Sequence, residues 1–212
     1  MPKITKIEVQ KNNKERVNIY VDNKYAFAAF IDTIISEGIV KGLEINNEII
    51  NKINCEERIK KCKNDAIKIV EKSYKTEKEV IDKLKQKEYE DSEINYVINF
   101  LREYKFIDDK SYAKSYAKGK MSNNGKNKIK YALKRKGVPD EIINETLDNI
   151  NEDEELQNAI EVGYKKYNVI IKRENDKYKI KNKLCAFLAG RGYDFQTAIK
   201  AVNHIIEQNN NE

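Results

Sequence analysis

Three stretches of this chain align with one another without a gap, and this internal repeat constrains the fold more than any other feature. The copies begin at Val80, Ile129 and Leu184 and span residues 80–101, 129–150 and 184–205. Apolar residues coincide at six aligned positions, which are Val80/Ile129/Leu184, Leu84/Leu133/Leu188, Tyr89/Val138/Tyr193, Ile94/Ile143/Ala198, Ile98/Leu147/Val202 and Leu101/Ile150/Ile205. Because six matched positions in three copies are hard to obtain by chance, we predict three tandem repeats.

The spacing within one copy predicts two helices joined by a turn. The first two apolar positions are four residues apart and mark one helix face, and the last three form the inward stripe of a second helix. The step of five between them crosses a turn, where Gly137 and Gly192 suit a left-handed backbone. Glu88 occupies this position in the first copy, so the turn there is expected to differ slightly.

A further helix precedes each copy, so the repeating unit has three helices. These helices are predicted over about residues 56–72, in "DDKSYAKSYAKGKM" and in "EDEELQNAIEVGYKKY". The interval between the second and third copies is six residues longer than that between the first and second, and the extra residues fall in the polar stretch "KRENDKYK", where a loop can grow at little cost. Three-helix units in tandem bury their apolar stripes locally, which predicts a mainly α-helical, elongated and curved molecule.

The N-terminal part of the chain shows the two-residue period of β-strands instead. "TKIEV" places Ile7 and Val9 on one face, and "RVNIYV" places its three β-branched residues on one face. The polar stretches "KNNK" and "DNK" are predicted turns. Two or three antiparallel strands over residues 4–30 follow, and so small a sheet is expected to pack on helices because it is only marginally stable alone.

Helical periodicity begins after the strands. A long helix is predicted to start with Asn46 or Asn47 as its cap and to break near Asn54. Thr76 followed by Glu79 forms a capping box that opens a further helix. The predicted organisation is an N-terminal β extension with the start of the helical region over residues 1–54, and three-helix repeats over residues 55–107, 108–150 and 151–212.

The composition fits a surface-rich helical protein. Charged residues make up 36% of the chain, and eight glycines with two prolines suit long helices joined by short turns. No apolar run approaches the roughly 18 residues of a membrane span, and the N-terminus lacks a signal-peptide core, so a cytoplasmic location is expected. The three cysteines form no recognisable framework and are expected to be free thiols.

Catalytic and metal-binding motifs are missing from the sequence. It has no phosphate-binding loop, no H-E-x-x-H and no Cys/His pair at zinc spacing. The single histidine, His204, is expected to be structural or at the surface. Asp108 and Asp109 could be paired metal ligands, but we interpret Asp108 as a helix cap and Asp109 as favouring the positive end of that helix. We therefore expect no enzymatic activity, no cofactor and no metal.

One segment, residues 110–136, carries ten basic residues and no acidic one. The net charge of the chain is +6, and residues 108–150 contribute +4 of it. Nearby like charges repel and cost stability, so a cluster without interleaved acids indicates an anionic partner. Lysines are also what an exposed helix face ordinarily contains, and an acidic groove of another protein would serve as well as a nucleic acid.

Helical spacing places an exposed aromatic ring in this segment. Ile129 and Leu133 point inward on its second helix, and Tyr131 points away from them. The helical neighbours of this ring are Lys128, Lys134 and Arg135. Such a ring can stack on a base or sugar while the cations contact phosphates. The residues that we predict to bind the partner are Lys110, Lys114, Lys118, Lys120, Lys126, Lys128, Lys130, Tyr131, Lys134, Arg135, Lys136 and Arg191.

Four sequence blocks resemble the RecX family of bacterial regulatory proteins. They are "KTEKEVIDKLKQKEY", "FIDDKSYAKSYAKGK", "GKNKIKYALKRKGV" and "LCAFLAGRGYD", and the resemblance covers residues 55–207. The N-terminal β extension resembles the one carried by Gram-positive members. Two residues depart from the family pattern at turns, since Lys105 stands where glycine is usual and Glu88 stands where Lys-Gly is usual.

The resemblance implies a monomeric protein that binds the RecA recombinase filament on single-stranded DNA. It implies a position in the helical groove of the filament and inhibition of strand exchange, ATP hydrolysis and filament growth, which would modulate DNA repair, recombination and the SOS response. Two alternatives stay open at this point. The chain could be a direct nucleic-acid-binding protein, such as a helix-turn-helix-like transcription regulator, or a repeat scaffold for other proteins.

Overall fold

A computed structural model describes residues 2–210 and contains, within that range, a three-stranded sheet followed by ten helices. The strands are β1 (Ile4–Val9), β2 (Arg16–Val21) and β3 (Lys24–Phe30). The helices are α1 (Ile31–Ser36), α2 (Asn47–Lys72), α3 (Glu77–Lys85), α4 (Asp91–Glu103), α5 (Asp109–Lys120), α6 (Lys126–Arg135), α7 (Asp140–Asp148), α8 (Glu152–Ile170), α9 (Lys177–Gly190) and α10 (Phe195–Asn210). The predicted class, mainly α-helical with a small antiparallel sheet, is confirmed. The chain forms two compact units, residues 2–73 with 81–106 and residues 74–80 with 107–210.

The sheet of the first unit has the strand order β1-β2-β3, with both pairs antiparallel. Val17 and Ile19 are buried, as predicted for β2. Ile7 and Val9 lie on one face of β1, as predicted, since they pair with the buried Ile19 and Val17; Val9 is nevertheless 49% exposed, because it stands at the last position of the strand. A register shift between Ile4 and Lys6 makes Ile4 the fully buried residue of this strand.

Helix α2 begins where the capping pattern predicts. The Asn46 side chain accepts a hydrogen bond from the backbone N–H of Ile49 at 2.9 Å, which satisfies one of the unpaired donors of the first turn. The helix then runs for 26 residues without interruption.

The predicted break near Asn54 is absent from α2, because the residues beside it are held by tertiary contacts. Ile53 is fully buried in the core under the sheet. One turn later, the carboxylate of Glu57 accepts hydrogen bonds from the backbone N–H of Phe30 and the hydroxyl of Thr33. These contacts outweigh the weak helix propensity of asparagine.

The second half of α2 packs on α4 and completes the first unit. Cys62 and Ala66 are buried on α2, and the buried residues of α4 include Ile94, Val97, Ile98 and Leu101. Burial raises the pKa of the Cys62 thiol to about 11, so this cysteine is protonated and unreactive at neutral pH. All three cysteines are free, as predicted.

Each three-helix repeat of the second unit has a core of its own. Helices α5, α6 and α7 enclose Tyr112, Ala113, Ala117, Ile129, Leu133, Val138, Ile143, Leu147 and Ile150. Helices α8, α9 and α10 enclose Ala159, Val162, Ile170, Ile180, Leu184, Leu188, Tyr193, Ala198, Ala201 and Val202. All aligned apolar positions of the three repeats are buried except Tyr89, which is half-buried, so the predicted repeat is confirmed.

The turn between the two aligned helices is the same in all three repeats. Glu88, Gly137 and Gly192 all have a left-handed backbone, with φ of 63°, 81° and 90°. In each copy the next residue donates its N–H to a carbonyl of the last helical turn, as in the pairs Tyr89–Leu84 (3.4 Å), Val138–Leu133 (3.2 Å) and Tyr193–Leu188 (3.2 Å). The expectation of a different turn at Glu88 was therefore wrong. Lys105, the other departure from the family pattern, also has a left-handed backbone, with φ 57°.

Crowding explains why two of these turns contain glycine and one does not. A Cβ atom on Gly137 would lie 2.2 Å from Cδ of Lys78, and one on Gly192 would lie 2.4 Å from the backbone N of Lys128. Glu88 is exposed, so its side chain extends into solvent. Glycine is needed where another segment docks on the turn, and the left-handed backbone alone does not require it.

Replacing Glu88 with glycine is expected to stabilise the protein by about 0.5–1 kcal/mol. A left-handed conformation costs a non-glycine residue about 1–2 kcal/mol, and the greater freedom of glycine in the unfolded chain offsets part of this gain. The measurement is a urea unfolding curve. Lys61→Gly in the exposed interior of α2 serves as the control and should destabilise by about 1 kcal/mol. Equal destabilisation by both substitutions would contradict the explanation.

Candidate nucleic-acid interface on the second repeat

Helix α5 turns a packing face inward and a row of lysines outward. The Asp108 carboxylate caps the helix by accepting the backbone N–H groups of Lys110 and Ser111 at 2.9 and 3.0 Å, as predicted. The residues of the packing face, all buried or half-buried, are Tyr112, Ala113, Tyr116, Ala117 and Met121. The exposed cations of α5 are Lys110, Lys114, Lys118 and Lys120.

Helix α6 presents an aromatic ring to solvent. Ile129 and Leu133 are buried in the core of the repeat, which orients the opposite side of the helix outward. Tyr131 is 73% exposed, and Lys128, Lys134 and Arg135 are exposed around it. The predicted orientation of these four residues is therefore confirmed.

Helix α7 places acidic side chains next to the basic segment, although residues 110–136 themselves contain none. Glu145 lies 2.6 Å from the ammonium of Lys110, and Asp140 lies 3.1 Å from that of Lys134. Both pairs are about half exposed, so solvent screens them and either cation can exchange its partner for a phosphate at little cost. Hydrogen bonding to Lys110 also lowers the pKa of Glu145.

Lys136 is held inside the second unit. Its ammonium donates to Oε1 of Glu79 at 2.7 Å and lies 5.5 Å from the ring centre of Tyr112. Burial alone would lower the pKa of Lys136, but hydrogen bonds to Glu79 and Tyr112 raise it above the ordinary value. This charged lysine therefore stabilises the fold, and it is not among the exposed cations.

Lys126 and Arg191 also have intramolecular partners. The ammonium of Lys126 donates to the carbonyl of Ile150 at 3.1 Å and lies 3.6 Å from Glu155. The guanidinium of Arg191 donates to the carbonyl of Asn123 at 3.4 Å. Both residues are half-buried, unlike the exposed cations of α5 and α6.

The remaining predicted residues are exposed, and we call them the cationic surface. It consists of Lys110, Lys114, Lys118, Lys120, Lys128, Lys130, Tyr131, Lys134 and Arg135. Its eight positive charges and one outward-facing ring are groups that can contact the phosphates and a base of a nucleic acid, or an acidic surface of a protein.

The start of α3 docks on the turn that follows α6, and we call this contact the first joint. The hydroxyl of Thr76 donates to the carbonyl of Lys136 at 2.7 Å. The backbone N–H of Glu77 donates to Oδ1 of Asp109 at 2.9 Å. Thr76 and Glu79 also exchange the two hydrogen bonds of the predicted capping box, which is confirmed.

The start of α6 docks in the same way on the turn that follows α9, and we call this contact the second joint. The backbone N–H of Gly125 donates to the carbonyl of Arg191 at 3.0 Å. The backbone N–H of Lys126 donates to Oε1 of Glu155 at 2.9 Å. The two joints therefore use equivalent positions in successive repeats.

Sequence reasoning missed the contacts of both joints. Thr76 was interpreted as a helix cap, Asp109 as a favourable charge at its own helix end with a metal ligand as the alternative, and Glu155 was not singled out. Two features of the sequence could have indicated these contacts. A carboxylate occurs in the first turn of both α5 and α8, and Gly125 aligns with Thr76 in the repeat. The residues of the second joint hold the start of α6, and therefore the cationic residues on α6, in place within the second unit.

Residues 2–210 contain no group of three or more His, Cys, Asp or Glu side chains placed to hold a metal ion. In the same part of the chain, every helix is too short or too polar to cross a membrane.

Comparison with protein families matches most of the chain in four parts. Residues 2–46 match the regulatory protein RecX N-terminal domain. The first, second and third three-helix domains of RecX match residues 62–101, 108–147 and 152–202. Each three-helix match falls within one predicted repeat.

Proteins that align with nearly the whole chain are also named regulatory protein RecX. The chain is 45% identical over 205 residues to the regulatory protein RecX of Clostridium perfringens strain 13, covering 97% of both chains. It is 35% identical over 205 residues to the regulatory protein RecX of Clostridioides difficile strain 630, covering 96% of this chain and 95% of the other. A crystal structure of regulatory protein RecX matches with a TM-score of 0.78 and 26% identity, covering 94% of this chain and 99% of the other. RecX from Lactobacillus salivarius matches with a TM-score of 0.67 and 25% identity, covering 71% and 97%.

Proposed function

Because this chain belongs to the RecX family of regulatory proteins, we propose that it binds RecA filaments on single-stranded DNA and inhibits them. The inhibition would slow ATP hydrolysis, strand exchange and filament extension, and so modulate recombination, DNA repair and the SOS response in the cytoplasm. The protein would act as a monomer in the filament groove and without catalysis of its own.

The cationic surface is the observation that supports this proposal most directly. It carries eight positive charges and the exposed ring of Tyr131, and its ion pairs with α7, Lys110–Glu145 and Lys134–Asp140, are exposed to solvent. A filament offers DNA phosphates and acidic protein groups, both of which attract such a surface. Binding would replace the weak contacts to α7 by contacts to a fixed array of anions.

Titration of the purified protein into RecA, single-stranded DNA and ATP tests the proposal. We expect ATP hydrolysis to fall at substoichiometric protein, because one bound molecule blocks growth beyond the protomer that it contacts. Filaments measured by electron microscopy should shorten in parallel. Unchanged turnover and unchanged filament length would rule the proposal out.

Direct binding to DNA without RecA is the second candidate function, as in a helix-turn-helix-like regulator. The 73% exposure of Tyr131 favours it, since a ring on the outer face of α6 is available to a base. This function predicts a logarithm of affinity that falls with the logarithm of salt concentration, by about 0.9 per phosphate on duplex and about 0.7 on single strands. Binding that does not change with salt would exclude it.

A further inference from the structure

The two joints cover the N-terminal ends of α3 and α6, and within residues 2–210 no following repeat docks in this way on α9. In both joints, a carboxylate from the next three-helix repeat accepts the first backbone N–H of the helix: Asp109 accepts from Glu77, and Glu155 accepts from Lys126. The described part of the chain has no further repeat after α10 to supply such a carboxylate. Among the described residues, the third repeat therefore lacks a joint of this kind.

Helix α9 is built differently at its N-terminal end. Helices α3 and α6 begin three residues before the first aligned apolar position, whereas α9 begins at Lys177, seven residues before Leu184. The extra turn is capped by the chain itself, since Asp176 accepts the backbone N–H groups of Tyr178 and Lys179 at 2.9 and 3.2 Å. The donors that a neighbouring repeat would need to satisfy are already satisfied.

The extra turn also forms one wall of a cleft, which we call the terminal cleft. Its volume is about 240 Å³, and its lining residues are Lys177, Tyr178, Lys181, Asn203, Ile206 and Glu207. Tyr178 is 72% exposed. Capping explains why the helix is longer here, but it does not explain a large aromatic ring in solvent beside two lysines.

We propose that the terminal cleft binds a base of single-stranded nucleic acid together with its phosphate. The ring of Tyr178 offers a stacking surface, and Ile206 offers an apolar wall. The amide of Asn203 and the carboxylate of Glu207 can exchange hydrogen bonds with the edge of a base. The ammonium of Lys181 is placed to contact the adjoining phosphate. Because this cleft would hold the same strand as the cationic surface, its role rests on the proposed function.

An acidic peptide fits the terminal cleft less well than a base. In the two joints, the carboxylate binds a backbone N–H at the start of a helix, and Asp176 has taken that role at α9. A peptide carboxylate would also meet Glu207 in the wall of the cleft. A base gains from the exposed ring, which a carboxylate cannot use.

A single tryptophan can report on this cleft, because the chain contains no tryptophan. In the full chain carrying Tyr178→Trp, we expect oligodeoxythymidylate to quench the fluorescence by half or more at low salt, since stacking on a base quenches indole. Heparin at matched charge and polyglutamate should leave it nearly unchanged. Equal quenching by heparin would overturn the proposal in favour of a general polyanion site, and a response to polyglutamate alone would indicate an acidic peptide instead.

The chain carrying Tyr131→Trp separates this inference from the proposed function. Quenching at position 131 with none at position 178 would overturn the inference and leave the proposed function standing. Quenching at neither position would count against both the inference and the proposed function. In addition, Tyr178→Ala should weaken binding of the oligonucleotide about fivefold or more, while Tyr178→Phe, which keeps the ring, should bind almost as the original chain does. Equal affinity for both variants would also overturn the inference.

Discussion

Replacing Gly125 with alanine is expected to destabilise the second unit by about 3 kcal/mol. The added Cβ would lie 2.4 Å from the backbone N of Tyr193 and 2.5 Å from the carbonyl carbon and oxygen of Gly192. These atoms are backbone, so they cannot move aside as a flexible side chain would. The backbone of Gly125 is in an ordinary extended conformation, with φ −77° and ψ 166°, so close approach is the whole reason for the effect.

The matched control for this experiment is Gly119→Ala. Gly119 lies in α5, and a Cβ there would have nothing within 4 Å. This substitution should stabilise the helix by about 0.5–1 kcal/mol. Urea unfolding measures both variants, and hydrogen exchange at the amide of Lys126 should accelerate only in the Gly125 variant. If the two alanine variants were equally stable, the close packing of the second joint would be disproved.

A triple variant is expected to fold normally and to lose inhibition of RecA-dependent ATP hydrolysis. It carries the substitutions Lys128→Glu, Lys134→Glu and Arg135→Glu. All three side chains are exposed around Tyr131, so their reversal leaves the core of the repeat intact. The surface loses three cations and gains three anions, which repel the phosphates and acidic groups of a filament. We expect the concentration for half-inhibition to rise about tenfold or more. If the chain binds single-stranded DNA directly, the slope of the logarithm of affinity against the logarithm of salt concentration should also become shallower by about 2.

A second triple variant controls for the change in net charge. Lys11, Lys14 and Lys24 are exposed residues of the first unit, outside the cationic surface. Their replacement by glutamate changes the net charge by the same amount and should leave inhibition nearly as it was. Circular dichroism confirms the fold of both variants. Equal loss of inhibition in the two would indicate a general charge effect, and no loss in either would place the interface elsewhere.

The repeats could be predicted from the sequence because their stabilising contacts are local. The core of the second repeat runs from Tyr112 to Ile150, and its inward residues follow the period of a helix. Periodicity also gave the outward direction of Tyr131, since a residue two positions from a buried isoleucine lies on the other side of a helix. Both features depend on neighbours close in sequence.

The joints were missed because they connect residues far apart in sequence. Thr76 and Lys136 are separated by 60 positions, and a single hydrogen bond between them leaves no periodic trace. For the same reason, the sequence did not separate Lys136, which is held by Glu79, from the exposed Lys134. The turn at Glu88 was misjudged because glycine was taken as a requirement of the backbone, whereas it is a requirement of docking.

The second joint has a consequence for synthesis on the ribosome. The core of the second repeat is complete once Ile150 has emerged, so this repeat can fold while the rest of the chain is still being made. Gly125, however, bonds to Arg191, which emerges only after most of the third repeat has been made. At about 5–20 residues per second, Arg191 follows Ile150 by about 2–8 seconds. The nascent protein therefore passes through an interval in which all core residues of the second repeat have been made but the acceptor for Gly125 has not.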